Sequence, residues 1–181
     1  MSIHSFFGHL RTITKHRHQV IRCCFHAGIF WQGLRHDLSK FSPLEFCAGV
    51  AYYQGGTRSP NEKERELFGY SAAWMHHKGR NRHHFEYWTD YNPKTHQNEP
   101  VKMPARYVVE MFCDRVAASK IYKKKDYTDR SALEYFERGK SHRTIHPETS
   151  DEIERLLTIL AESGEAAAFT ACRALLAKGT I

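Results

Sequence analysis

The feature that most constrains this chain is a three- and four-residue spacing of apolar side chains, cut at intervals by helix-start and helix-stop signals. Ile3, Phe6, Phe7, Leu10, Ile13, Val20, Ile21 and Cys24 follow Ser2 at that spacing, and Gly28 closes the run. The pattern predicts a first helix ending near Gly28 and a second over about 29–39. Ser42-Pro43-Leu44-Glu45 joins a capping serine, a proline at the first helical position and a glutamate three residues after the cap, so a third helix starts there. Gln54-Gly55-Gly56 ends it. Ser59-Pro60-Asn61-Glu62 repeats the start signal, Gly69 breaks that segment, and Ser71 begins a short piece holding Trp74, His76 and His77. Residues 78–103 carry the loop punctuation Gly79, Asn81, Asn92, Pro93, Asn98 and Pro100. Pro104 then opens an apolar helix with Tyr107, Val108, Met111, Phe112, Val116 and Ile121, which Lys123-Lys124-Lys125-Asp126 ends. Two or three more helices are expected at about 131–139, 150–163 (capped by Thr149 or Ser150) and 165–178. No strand pattern stands out. The expectation is an all-α fold in a single helical domain over 1–181, with a site-bearing core at about 9–122 and C-terminal helices at about 131–178. At 181 residues the chain can bury a core without disulfide staples.

A net charge of +7 and a pI near 9.2 favour anionic partners. The five cysteines (Cys23, Cys24, Cys47, Cys113 and Cys172) are odd in number and form no CxxC, which predicts buried, reduced thiols in a cytoplasmic protein. No apolar run approaches the ~20 residues that cross a bilayer. His4, His9 and Arg11 stand where a signal peptide would be apolar. The sequence therefore predicts no membrane association. Thirteen dispersed histidines ask for a chemical reason.

Four places supply one. "GLRHDLSK" sets His36, Asp37 and Lys40 close together; on a helix His36 and Asp37 lie about 100° apart and Lys40 shares their face. The ordinary explanation of these three is a solvated helix end with a local Asp–Lys pair. On the first helix, His16 follows the stripe of His9, Ile13 and Val20, while His18 points elsewhere and is the reserve candidate. In "WMHHKGRNRHHFEYW", His76, His77, His83 and His84 fall within nine residues among aromatic side chains. Some of these rings are fillers or caps, and Gly79 is expected to turn the chain so that one histidine of each pair converges. Asp114 lies in the most apolar helix with Glu110 one turn earlier; its ordinary partner is Arg115. His142 and His146 are taken as surface residues. Imidazoles and carboxylates together suit Zn²⁺, Mn²⁺, Fe or Ni²⁺ better than Ca²⁺. Six ligands exceed one tetrahedral zinc. One or two divalent transition-metal ions follow, with Asp37 as the bridge if there are two.

The order His…His-Asp…Asp resembles the signature of the HD-domain metal-dependent phosphohydrolase superfamily, a helical fold. "HDLSK" is similar to the HD-x-x-K of HD-GYP-type proteins and of HD-fold diiron oxygenases, and the paired histidines, loop and apolar helix ending in Asp114 parallel the HD-GYP order. The chain has "GRN" where that branch has GYP, and Lys78 where an acid usually follows the paired histidines. The blocks "YYQGGTRSPNE" and "HHKGRNRHHFEYW" also resemble an uncharacterised bacterial family. The resemblance implies an HD-domain-like helical bundle and a phosphohydrolase acting on a small phosphorylated metabolite or nucleotide. In that reading Asp37 bridges the ions and handles a proton, and Lys40 counters phosphoryl charge. Lys78, Arg80 and Arg82 grip the rest of the anion, or else form a solvated basic loop. The same resemblance implies, as an alternative, an HD-fold diiron oxygenase. A basic helical module for nucleic acid is the alternative outside enzymes. "KGRNR" and "YKKK" motivate it, but the basic residues are scattered and no helix-turn-helix is present.

Overall fold

A computed structural model describes residues 2–179. The fold is all-α, with one short hairpin. The helices are α1 (Ile3–Ala27), α2 (Phe30–Arg35), α3 (Pro43–Ala51), α4 (Pro60–Phe68), α5 (Ala72–Arg80), α6 (Ala105–Lys123), α7 (Ser131–Arg138) and α8 (Pro147–Lys178), with strands β1 (Thr89–Asn92) and β2 (Gln97–Pro100) before α6. Among the described residues no helix is long and apolar enough to cross a membrane.

The boundaries follow local chemistry. Ser2, Ser42, Ser59 and Ser71 each accept a backbone N–H of the first turn they precede. Gly28, in the left-handed region at φ 90°, ends α1 by donating to the carbonyls of Cys24 and Phe25. Gly164 sits at φ 77° and ψ 178° inside α8 and breaks it where the sequence placed the gap between two helices. That helix starts earlier than expected: His146 stands at its cap and Pro147 at its first position, so Thr149 and Ser150 lie in its first turn.

Three expectations are corrected. The second helix stops at Arg35; His36 leaves helical geometry, Asp37 takes the left-handed region at φ 54°, and Leu38–Phe41 form a 3₁₀ turn. His36 and Asp37 thus stand on a break between helices. Gly79 lies within α5, and the reversal that returns the chain comes at Asn81, whose carbonyl accepts from His84 N–H. The irregular stretch also contains an antiparallel pair, Thr89 to Pro100 through Asn92 to Gln97. Its strands are mostly exposed and polar, so no apolar alternation marked them; Asn92 and Thr95 donate to Glu99 instead.

α6 is the centre. Val108 to Cys113 are buried without a break, and α1, α7 and α8 pack around it. A run of six residues covers every side of a helix, and such a stretch, apolar but for Glu110, is stable only inside the molecule. Val20 and Cys24 of α1, Phe136 of α7 and Ile153, Leu157 and Leu160 of α8 complete the core. α2 lies so close to α1 that a Cβ on Gly33 would come within 2.5 Å of Cys24 Cβ. Arg17 of α1 donates to the carbonyls of Leu34 and His36, both at 2.9 Å. These contacts hold the end of α2 against α1, one residue from His16.

Candidate metal centre

Four segments meet α6 at one place. α1 supplies His16, the α2–α3 connection supplies His36 and Asp37, α5 supplies His77, the turn after it supplies His83 and His84, and α6 supplies Asp114. Three groups of ligand atoms form, each with all atoms within 4.8 Å of one another: His16, His36, Asp37 and Asp114; Asp37, His77, His83 and His84; and, on the far side of two of these rings, His36, His83 and Glu110. Asp37 belongs to the first two. Its Oδ2 lies 3.1 Å from His36 Nε2 and 3.7 Å from His16 Nε2, and its Oδ1 lies 3.2 Å from His77 Nε2 and 3.4 Å from His83 Nε2. His16 Nε2 is 2.9 Å from Asp114 Oδ1.

These short approaches do not make hydrogen bonds. His16, His36, His83 and His84 each bury an Nε2 without a hydrogen-bond partner among the described residues, and the oxygens of Asp37 likewise accept no hydrogen bond, Oδ2 meeting the Lys40 ammonium as an ion pair. Buried polar atoms left unpaired cost about 1–3 kcal/mol each. So many aimed at two points is the donor chemistry of a cation site, and the buried His and Asp groups can hold a metal ion.

The far nitrogens are fixed from behind. Glu110 Oε1 lies 2.9 Å from His36 Nδ1 and 3.2 Å from His83 Nδ1, while Oε2 accepts from Gln32 at 2.5 Å. Glu45 reaches His77 Nδ1 at 2.7 Å and His76 Nδ1 at 2.6 Å. A carboxylate on Nδ1 holds a proton there and turns Nε2 toward the cluster. Ser39 and Asn81 add a small network: Asn81 donates to Ser39 Oγ and to the His77 carbonyl, both at 2.8 Å.

The charges interlock. Burial would raise the Asp37 carboxyl, but His36, Lys40 and His77 hold it well below its usual range. Burial disfavours a charged His36, yet Asp37, Asp114 and Glu110 hold that imidazole well above its usual value. Burial, with Lys40 second, pushes His16 down. Burial and the neighbouring His83 and His77 push His84 well down. Glu110 is brought to about 2: burial alone would raise it, but the bonds from His36 and His83 win.

His16, His36, Asp37, His77, His83, His84 and Asp114 are therefore brought together, and the second pair contributes both histidines rather than one. His18 is exposed. Of the alternatives His76 and His77, His77 joins the cluster; His76 turns to Glu45 and belongs to none of the groups. Lys40 Nζ lies 2.6 Å from Asp37 Oδ2, and Asp37 keeps it ammonium against the pull of burial. A cavity of about 1160 Å³ opens onto the cluster and is lined by Lys40 and Lys78 among others. Arg80 and Arg82 are not on its wall. Both are exposed, and Arg82 donates to Tyr107 at 3.3 Å and lies over the Tyr87 ring. The two positioning glutamates were missed. Glu110 carried one signal, its place four residues before Asp114 on one helix face. Glu45 carried a misleading one: Ser42 does cap its N–H, but its carboxylate serves histidines of α5 instead of closing a capping box. His142 is exposed as expected, while His146 is half-buried.

No curated protein and no solved structure matches this chain, and no HD-domain family matches it. Residues 5–159 match one family, which includes the whole cluster, and the chain belongs to that family of unknown function (DUF5662).

Proposed function

We propose that this protein is a metal-dependent phosphohydrolase acting on a small phosphorylated substrate. One observation carries the reading: unpartnered Nε2 atoms and carboxylate oxygens are aimed from two sides at points flanking one shared aspartate. His16, His36, Asp37 and Asp114 would hold one divalent transition-metal ion, and Asp37, His77, His83 and His84 a second. Such ions supply Lewis acidity, lowering the pKa of water to about 7 and offsetting charge on a phosphoryl oxygen.

The chain's own groups do the rest. Asp37 offers one oxygen to each set and so fixes the spacing between them. Glu110 and Glu45 orient three of the imidazoles and keep their Nδ1 atoms protonated. Lys40, held as ammonium on the cavity wall, neutralises a phosphoryl oxygen that approaches Asp37. Trp74 packs its ring 4.7 Å from that of His84 and 5.6 Å from that of His77 and supports both imidazoles from the side. The HD-type ligand order noted in the sequence agrees with this assignment.

The test is elemental analysis of protein purified without added metal, joined to a screen of phosphate esters. Two transition-metal ions per chain and hydrolysis of a phosphate ester are expected. Asp37→Asn should lose both while staying folded, because asparagine tolerates the left-handed backbone of this position. Hydrolysis by Asp37→Asn at the wild-type rate would sink the assignment. Two irons with oxygen consumption and no phosphatase activity would replace it with the oxygenase reading.

A further inference from the structure

The cavity extends beyond the cluster to a basic wall formed by the end of α6, α7 and the segment after it. Arg115, Arg138 and Arg143 line it. Arg115 follows Asp114 directly, yet the ordinary Asp114–Arg115 pair does not form: Asp114 meets histidines instead. Arg115 has five N–H donors. Its Nε is buried without a partner, and its only hydrogen-bond acceptor among the described residues is Met111 Sδ at 3.9 Å, a weak one. Its guanidinium lies 5.4 Å from the Phe136 ring centroid.

Arg143 flanks the same ring at 4.9 Å. It is held in place by the last carbonyls of α7, donating to Phe136 O at 2.5 Å and Tyr135 O at 3.3 Å. Gly139 is needed for this, since a Cβ there would come within 2.6 Å of Arg143 Nη2. Arg143 therefore has a structural task, but it still brings a second positive charge to the wall. Neither guanidinium has a carboxylate within ion-pair distance among the described residues. Glu86, on the same wall, exerts an attraction on both without contacting either. Both guanidiniums lie over the Phe136 ring, but Arg115 keeps nearly all its donors free, and a partly buried cation so placed opposes folding unless something else uses those donors.

We propose that Arg115, with Arg143 beside it, is an anion subsite that receives a second phosphate group of the substrate, distinct from the one presented to the His/Asp cluster. The bisphosphorylated nature of the substrate rests on the phosphohydrolase reading; the subsite itself does not. A guanidinium with free donors is the side chain best matched to a phosphate, which it binds by paired, charge-assisted bonds. Two cations suit the two negative charges of that group.

The experiment uses the full chain after chelator treatment, so that metal plays no part, with inorganic phosphate as the probe. Wild type should bind phosphate in a calorimetric titration, and its unfolding temperature should rise with phosphate. Arg115→Met should weaken that binding by roughly tenfold or more. The same variant, freed of an unpaired charge, should unfold about 2–4 °C higher than wild type without phosphate. Arg115→Lys should keep part of the affinity. Phosphate binding unaltered in Arg115→Met, a wild type that binds none at millimolar phosphate, or a lower unfolding temperature for Arg115→Met would each overturn the subsite. A wild type that binds phosphate through Arg115 but takes up no metal would overturn the hydrolase reading alone.

Discussion

Glu110 governs two imidazoles with a single oxygen, and this is where one residue decides most about the site. Its carboxylate is charged at any pH above about 2, so it holds His36 and His83 by charge-assisted bonds across the whole working range. Glu110→Gln keeps the shape but removes the charge. It should weaken metal binding by roughly 10- to 100-fold, measured by competition with a chromogenic chelator, while the protein remains folded. Unchanged affinity would mean that the rings are oriented by packing alone. The same scale shows how far the site could be read from residue identities. His16, His36, Asp37 and Asp114 stood out because titratable groups beside apolar runs need partners. His76 and His77 are adjacent and chemically identical, and only the roll of α5 against Glu45 separates a ring aimed at Asp37 from a ring aimed away. Lys78, Arg80 and Arg82 read alike as basic neighbours, yet only Lys78 reaches the cavity.

Elements were legible where their ends carry local chemistry. The four serine caps and the break at Gly164 act within a turn, so sequence alone announces them. The end of α2 was hidden because apolar residues continue at helical spacing through Leu34, Leu38 and Phe41 while the backbone departs at His36. That departure is held by Arg17 from another helix, a contact no local pattern encodes. The packing of α1, α6 and α8 makes its own prediction. Cys23 and Cys24, Cys113 and Cys172 come together from those three helices, and burial raises three of the thiols: Cys23 to about 11, Cys172 to about 12 and Cys113 well above its usual value. A thiol that stays protonated when folded stabilises fully below its unfolded pKa of about 8.5 and progressively less as pH rises toward the folded value. The unfolding temperature should therefore fall between pH 9 and pH 11, with a shallower slope in Cys23→Ala. Equal slopes in the two proteins would show that other groups set the alkaline limit.

At the scale of the molecule, the cluster ties together residues from position 16 to position 114. Metal that binds only this folded arrangement must stabilise it, by about 4 kcal/mol at a thousandfold excess over its dissociation constant. Thermal unfolding with and without added Mn²⁺ or Zn²⁺ should show the rise in wild type and not in Asp37→Asn; equal shifts in both would place the ion elsewhere. The all-α class, the central apolar helix and the types of residue that carry the chemistry were determined by the sequence itself, because helix periodicity, capping and the cost of burying charge all act over a few residues. Which histidines face inward, which glutamates stand behind them, and that Arg115 is left without an acid were decided only in the tertiary structure. Those facts depend on the relative roll and closeness of α1, α5 and α6, and these are set by packing between segments far apart along the chain.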